Sequence, residues 1–193
     1  PYQVRARKDR SPVRLIKKSR RIGFTWSEIG RAVEDAVRPD GRSTYYMSHT
    51  AWSGRECMAT VEQWADVYDA LALKMGRRSI WQGGRKTKLN CTATKAVFEG
   101  GHKFEVLTST PRQLRSSPGS PHYLLDEVEF HTHPDAVIEA ATAILILGTA
   151  AVTLISTVNG EGPFWQWCEQ AKSGKLPYSL HEVTFDDALA DGL

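Results

Sequence analysis

The segment VRLIKKSRRIGFTWSEIGRAVEDAVR, residues 13–38, has the pattern of a strand, a loop and a helix. Its first part, VRLIK (13–17), is mostly apolar, as in a buried strand. In its last part, residues 26–38, apolar residues recur at the spacing of one helix face: Ile29, Val33 and Val37. The loop between them contains a glycine, a threonine two residues later and several cations. In α/β proteins a turn of this kind, between the first strand and its helix, is where phosphate binds.

This loop departs at two positions from the phosphate-binding pattern G-x-x-x-x-G-K-[ST]. Lys18 stands where the first glycine is expected, and Phe24 stands where the lysine is expected. Gly23 and Thr25 match the pattern, and the threonine hydroxyl at the helix start would bind Mg²⁺. A lysine at the start of the loop has a flexible stem that could curl over the β- and γ-phosphates. A helix cap preceded by surface cations would look similar, so the loop alone leaves both interpretations open.

The rest of the chain alternates strand patterns with helix patterns. Strands are predicted at residues 43–49, around a Gly-Gly turn within 88–110, at the start of 122–130, at 150–157 and at 179–185. Helices are predicted at residues 58–75, 134–147 and 163–172. The apolar face predicted for residues 58–75 consists of Val61, Trp64, Val67, Tyr68, Leu71 and Met75. The alternation indicates one α/β domain with a mostly parallel central sheet and helices on both faces.

Composition is ordinary for a globular domain of 193 residues, with 41% hydrophobic and 24% charged residues. The net charge of +3 is unevenly distributed, because residues 3–21 hold a large share of the cations. Such a basic segment suits nucleotide or nucleic-acid phosphate, although a solvated terminal tail would also explain it. The three cysteines, Cys57, Cys91 and Cys168, form no CxxC motif, which argues against a disulfide framework and a zinc knuckle.

Two further segments invite functional interpretations that we consider weaker. The apolar run of residues 136–158 approaches the length of a membrane span, but Glu139 and Gly148 interrupt it. We interpret it as a helix, a turn and a buried strand. His131 and His133 could supply two metal ligands, but the sequence shows no further ligands beside them.

A second informative segment is YLLDEVEF, residues 123–130, in which an apolar strand runs into Asp126 and Glu127. This is the Walker B arrangement, in which the aspartate would hold Mg²⁺ through water and the glutamate would orient and polarise the attacking water. A carboxylate pair at the end of a strand is common, but here it follows the loop in the expected order. The two segments together favour an NTPase. Further on, Ser156 and Thr157 close a buried strand, where a polar pair could sense the γ-phosphate, or simply precede an Asn-Gly turn.

Three segments together, KSRRIGFTW (18–26), YLLDEVEF (123–130) and LISTVNGEGPFW (154–165), resemble the ATPase domain of phage terminase large subunits, the motors that package viral DNA. Some terminases of the lambda type carry the P-loop lysine at the start of the loop, as Lys18 does here. The closing segment, TFDDALADGL (184–193), is similar to the region that leads to the nuclease domain in Mu-type terminases. The resemblance implies a three-layer P-loop NTPase fold. We expect residues 1–193 to form a single ATPase domain, a fragment of a longer chain whose nuclease domain is absent.

The resemblance also implies roles for particular residues. Lys18 would bind phosphate, Arg20 would contact phosphate from within the loop, and Glu127 would be the catalytic carboxylate. The nucleotide would lie against the whole loop: Lys18, Ser19, Arg20, Arg21, Ile22, Gly23, Phe24, Thr25 and Trp26. Thr25 and Asp126 would hold Mg²⁺, and Ser156 and Thr157 would couple hydrolysis to movement. Arg115, just before the Walker B strand, would serve as an arginine finger, in trans if it acts on the ATP of a neighbouring subunit. A solvated loop cation would equally explain an arginine at this position. Tyr2 and Gln3 would belong to an adenine-binding segment.

The resemblance implies partners and a location as well. ATP and Mg²⁺ would be bound, and double-stranded DNA would be moved into a prohead through its portal, with the small terminase subunit as a further partner. The active form would be a homo-oligomeric ring and the isolated chain a monomer, located in the cytoplasm of the bacterial host. No clustered carboxylates typical of a nuclease occur, so we expect no DNA cleavage by this chain. The alternatives are a non-catalytic DNA-binding module with a decayed P-loop and another DNA-dependent ATPase of the helicase kind.

Overall fold

The computed structural model describes residues 1–82, 94–107, 120–145 and 150–193, without the side chains of residues 51–53 and 142. Seven strands form one sheet in the described part of the chain. They are β1 (Val13–Lys18), β2 (Thr44–Met47), β3 (Lys95–Val97), β4 (Lys103–Val106), β5 (His122–Asp126), β6 (Ala151–Ser156) and β7 (Ser179–Val183). Their order is β3-β4-β2-β5-β6-β1-β7, with β3 antiparallel to β4 and every other pair parallel. The predicted mostly parallel sheet is therefore confirmed.

Helices cover both faces of this sheet. They are α1 (Tyr2–Lys8), α2 (Phe24–Val37), α3 (Ala51–Lys74), α4 (Pro134–Leu145), α5 (Pro163–Lys172) and α6 (Phe185–Ala190), with a short 3-10 helix at Val128–Phe130. Helices α1, α2, α3 and α6 contribute to one hydrophobic core, and α4 and α5 contribute to the other. Strand residues alternate between the two cores, as neighbours in a strand must: in β1, Leu15 joins one and Ile16 the other. The result is a three-layer α/β domain.

The ends of the chain hold structure that the sequence patterns did not predict. The basic segment near the start is not only a solvated tail, because α1 places Tyr2 and Ala6 in the core. At the other end, the predicted strand at 179–185 is too long: β7 stops at Val183 and Phe185 begins α6. The physical reason is a capping box at Thr184, whose side chain accepts a hydrogen bond from the N–H of Asp187 while the aspartate accepts from the N–H of Thr184.

The predicted apolar face of α3 is only partly correct. The stripe packed on the core runs through Val61, Ala65, Tyr68 and Ala72, spaced four, three and four residues apart. Trp64, also in the predicted face, packs against this core, whereas Val67, Leu71 and Met75 are exposed. Val67 and Leu71 each precede a packed residue by one position, which turns them about 100° away from the core around a helix of 3.6 residues per turn. The helix is also longer than predicted, because it begins at Ala51.

The remaining predicted segments are placed as follows. The Gly-Gly turn does join two antiparallel strands, β3 and β4, while residues 83–93 and 108–119 of the surrounding segment lie outside the described residues. The apolar run 136–158 contributes to α4 and to the buried strand β6, with 146–149 outside the described residues. Among the helices described, none is long and apolar enough to cross a lipid bilayer.

Candidate nucleotide-binding site

Three strands end side by side at one edge of the sheet. Lys18 is the last residue of β1, Asp126 the last of β5 and Ser156 the last of β6. Because β5, β6 and β1 are parallel neighbours, the residues that end or follow these strands meet at the same edge. In parallel α/β sheets this carboxyl edge is where ligands bind. The structure thus brings together three segments that the sequence suggested separately.

The loop after β1 turns sharply into α2. The N–H of Ser19 donates to the carbonyl oxygen of Val183 at 3.0 Å, which fixes the exit from the strand. Arg21 and Gly23 both adopt left-handed backbone conformations, with φ of 60° and 74°. Gly23 is the residue before the helix, and no side chain caps the helix start. The N–H groups of the first helical turn lack partners within the helix and are therefore available to an anion.

Phe24 explains why this loop has no lysine at its usual place. Its ring is fully buried and packs against Tyr2, with ring centroids 5.2 Å apart. A lysine there would place an ammonium group in an apolar core at a high desolvation cost. The Tyr2 hydroxyl and the Gln3 amide both donate to the carbonyl oxygen of Ile22. Helix α1 therefore stabilises the conformation of the loop.

Asp126 is held in a fixed orientation at the end of β5. The Thr25 hydroxyl donates to its Oδ1 at 3.1 Å, and the Tyr46 hydroxyl donates to its Oδ2 at 2.8 Å. Burial, and then the neighbouring Glu127, raise the pKa of this carboxyl, while the Tyr46, Lys18 and Thr25 contacts lower it. A buried carboxylate that repels a second one beside it favours a bound cation.

Glu127 lies at the centre of the cluster. Its backbone is left-handed, with φ of 50°, which is uncommon for a residue other than glycine and turns the chain sharply after β5. Its Oε1 accepts a hydrogen bond from Lys18 Nζ at 2.8 Å. Its Oε2 faces Ser156 Oγ and Thr157 Oγ1, each at 3.5 Å, and the Thr157 N–H at 3.4 Å. The predicted lysine, carboxylate and hydroxyl pair are therefore in direct contact.

Ser156 links this cluster to the segment that follows β5. Its hydroxyl accepts from the N–H of Glu129 at 3.2 Å and donates to the carbonyl oxygen of Thr157 at 2.8 Å. The Glu129 carboxylate in turn accepts from the N–H of Phe164 at the start of α5. A shift of Glu127 would therefore reach two neighbouring elements through a short chain of hydrogen bonds.

An open groove of about 330 Å³ passes over these groups. It is lined by Lys18, Arg20, Arg21, His49, Glu127, Phe130 and Thr157. The Arg20 guanidinium lies over the Phe130 ring, 5.7 Å from its centroid. Sequence reasoning missed Tyr46, His49 and Phe130, because only the pairing of β2 with β5 brings the first two to this edge.

The chemistry of the residues present fits a magnesium ion. Thr25 and Asp126 offer a hydroxyl and a carboxylate, the hard oxygen ligands that Mg²⁺ prefers alongside water and substrate phosphates. Among the described residues, no three His, Cys, Asp or Glu side chains converge into a metal cluster. Of the two histidines considered from the sequence, His131 is buried with Nε2 3.1 Å from the Asp126 carbonyl oxygen, and His133 is exposed.

Other predicted site residues have different surroundings. Ile22 is buried in the core beneath the loop. Trp26 is half exposed and packs against Trp64, with ring centroids 4.4 Å apart. Arg115, the predicted arginine finger, lies outside the described residues, so its role stays a prediction.

The strand order, the glycine-containing loop into α2 and the Asp-Glu pair at the end of β5 define a P-loop NTPase fold. Over its full length the chain is a homologue of a Mu-type terminase large subunit. It is 34% identical over 197 residues to the probable terminase large subunit gp28 of Escherichia phage Mu. That alignment covers 100% of this chain and 35% of the phage protein. The chain spans about a third of the length of the curated relatives it matches. No protein-family model matches the chain.

Solved structures share this fold at low sequence identity. A mutant form of the large terminase ATPase domain of Thermus phage P74-26 has a TM-score of 0.71 and 14% identity, covering 99% of this chain and 83% of that one. The large terminase of a thermophilic bacteriophage, solved in complex with ADP, has a TM-score of 0.65 and 14% identity. It covers 98% of this chain and 46% of that one. The resemblance and the fold expected from the three motifs are confirmed.

Proposed function

We propose that this chain is the ATPase motor domain of a DNA-packaging terminase large subunit, hydrolysing ATP to move double-stranded DNA into a prohead. The observation that carries the proposal is the convergence of Lys18, Thr25, Asp126 and Glu127 at one sheet edge. The homology to a terminase large subunit and the ADP complex of a structural neighbour support the same conclusion.

The phosphates would bind where α2 begins. The unpaired N–H groups of its first turn and the left-handed Gly23 form the backbone part of this site. Lys18 supplies the side-chain cation, because its Nζ already lies within the site, 2.8 Å from Glu127. Arg20 and Arg21 line the same groove and would add positive charge at its open side.

Thr25 and Asp126 would hold Mg²⁺, whose charge would neutralise the β- and γ-phosphate oxygens. Tyr46 keeps the Asp126 carboxylate oriented toward this position. Glu127 would orient a water molecule and polarise it for in-line attack on the γ-phosphorus. The new bond would form to the water oxygen, the water would lose a proton to Glu127, the bond to the bridging oxygen would break, and ADP would leave.

The pairing of Lys18 with Glu127 suggests the order of these events. The Glu127 carboxylate accepts a hydrogen bond from Lys18 Nζ at 2.8 Å, so the proposed catalytic group and the proposed phosphate-binding group contact each other. A triphosphate offers Lys18 a stronger anionic partner, which releases Glu127 for its role with water. Substrate binding would thereby activate the site.

Coupling to movement would use Ser156 and Thr157, which face Glu127 and connect through Glu129 to the start of α5. In the whole protein we propose a homo-oligomeric ring acting at the portal with the small subunit, in the bacterial cytoplasm, with Arg115 as arginine finger. DNA contacts would be made to the phosphate backbone and would not depend on base sequence.

The test is ATP turnover by the chain, with and without duplex DNA, beside Glu127→Gln. Loss of the carboxylate should reduce turnover by about 10²–10⁴-fold, the usual contribution of a positioned acid-base group, while ATP still binds. Equal turnover in both proteins would contradict the assigned role. Duplex binding that is indifferent to nucleotide in both proteins would instead favour a non-catalytic DNA-binding module.

A further inference from the structure

A second cationic site lies at the opposite edge of the sheet. Its cavity, with a volume of about 240 Å³, is lined by residues at the amino ends of β1, β5 and β6, among them Arg14, His122 and Thr153. Lys18 lies four positions after Arg14 along β1, a distance of about 13 Å at 3.3 Å per residue. The cavity is therefore separate from the groove proposed for ATP.

Five arginines line this cavity: Arg10, Arg14, Arg31, Arg38 and Arg42. Two carboxylates, Asp35 and Asp40, also line it, and Asp40 already lies 3.6 Å from Arg38 Nε. A third, the buried Glu28, lies behind the wall and binds Arg14. Five cations against three anions leave an excess of two positive charges around one small cavity.

Arg14 and Arg31 have different surroundings in the wall of the cavity. Arg14 is fully engaged, because its guanidinium forms two hydrogen bonds to Glu28 and others to the Ala6 carbonyl oxygen and Thr153. Arg31 is 9% exposed, yet its Nε and Nη1 have no hydrogen-bond partner. Its nearest carboxylate oxygen, on Glu28, is 3.7 Å from Nη1 and is shared with Arg14.

A buried guanidinium with N–H groups that lack hydrogen-bond acceptors is energetically costly. Burial, and then the nearby Arg14, lower the pKa of Arg31, while Glu28 and Asp35 raise it, and the net direction is downward. An anion in the cavity would supply the missing acceptors and the missing negative charge. Guanidinium groups are suited to phosphate, because their N–H groups match its oxygens in pairs.

We propose that this cavity is a phosphate-binding site, distinct from the ATP site, with Arg31 as its principal ligand and Arg10 and Arg42 closing over the bound group. Its volume would admit a phosphate group together with a few water molecules, each of which occupies about 30 Å³ in the liquid. The phosphate would belong to a free phosphate compound or to a nucleic-acid backbone.

The test measures pyrophosphate binding by calorimetry and the binding of a short duplex of random sequence by fluorescence anisotropy. Both use the 193-residue chain and four variants: Arg31→Gln, Arg42→Gln, Lys18→Ala and the control Arg77→Gln, which alters an exposed arginine outside the cavity. Loss of one charge-assisted contact should weaken binding by about tenfold or more. Arg42→Gln keeps the test valid if the buried Arg31→Gln fails to fold, because Arg42 is only half-buried.

We expect Arg31→Gln and Arg42→Gln to weaken the binding of pyrophosphate, of the duplex or of both, and Arg77→Gln to leave it unchanged. Lys18→Ala should leave binding at the arginine-lined cavity intact. Weakened pyrophosphate binding would identify a free phosphate compound, and weakened duplex binding alone would identify the nucleic-acid backbone. The proposal is overturned if neither probe responds to the cavity variants. It is equally overturned if all pyrophosphate binding is lost with Lys18→Ala alone.

Discussion

Replacing Glu127 by glutamine should strengthen ATP binding even as it removes turnover. The reason is the ion pair between Lys18 Nζ and Glu127 Oε1, 2.8 Å apart, which ATP must break before the lysine can reach a phosphate. Glutamine keeps the shape of the side chain but not its charge, so Lys18 is released more easily.

The magnitude follows from the burial of the pair. The Lys18 and Glu127 side chains are 7% and 24% exposed, so the pair is more shielded than a surface ion pair. Surface pairs contribute about 0.2–1 kcal/mol, and hydrogen bonds to charged groups about 1.5–3 kcal/mol. We therefore take about 1–2 kcal/mol for the Lys18–Glu127 pair, from the top of the first range to the lower part of the second. This free energy corresponds to about 5–30-fold tighter ATP binding, at 1.4 kcal/mol per tenfold.

The assay is a calorimetric titration of MgATP into the chain, Glu127→Gln and Glu161→Gln, the last removing a carboxylate from the exposed turn after β6. Glu161→Gln should leave the affinity unchanged. Glu127→Gln also removes the repulsion between the carboxylate and the triphosphate. The effect of Glu127→Gln on MgATP affinity is therefore measured a second time in a chain that carries Lys18→Ala. There the gain should be smaller, because no ion pair remains to be broken. An equal gain in affinity with and without Lys18, or no gain at all, would show that the Lys18–Glu127 ion pair does not oppose ATP binding.

Three further predictions concern stability. Burial lowers the pKa of His122 well below 6.5, so as the pH falls the unfolded chain binds a proton on this histidine before the folded chain does. The free energy of unfolding should therefore decrease as the pH drops below about 6.5. His122→Gln should make this decrease smaller, as measured by urea denaturation. Arg14→Met should cost about 3–5 kcal/mol, because it removes both Arg14 hydrogen bonds from the buried Glu28 and leaves only Arg31, at 3.7 Å, beside that carboxylate; adding Glu28→Leu should recover much of that loss in the same assay. Gly30→Ala should cost about 1–3 kcal/mol in thermal unfolding, because the new Cβ would clash with the Trp64 ring.

The local parts of the site could be predicted from the sequence because each depends on a short run of residues. The strand before Lys18, the helix after Gly23 and the acids after β5 follow from hydrophobic period and turn residues. Their meeting at one sheet edge follows from parallel strands alone.

The parts that depend on distant residues could not be predicted. Tyr46 reaches Asp126 only because β2 pairs with β5, and no local pattern specifies that order. The pairing of Lys18 with Glu127 joins residues 109 positions apart. The burial of Phe24 likewise depends on α1, because Tyr2 of that helix packs against the Phe24 ring. The short basic sequence at residues 2–8 contains no pattern that predicts a helix packed against the loop.

We propose that the phosphate-binding lysine of this altered P-loop is Lys18, at the start of the loop. The most direct measurement is MgATP binding by calorimetry to Lys18→Ala beside Lys17→Ala. The neighbouring Lys17 is the matched control, because it is engaged by Glu182 at 2.6 Å rather than by Glu127. We expect Lys18→Ala to weaken binding by about tenfold or more, as for a charge-assisted contact, and Lys17→Ala to bind as the parent chain does. Equal affinities for all three proteins would contradict it.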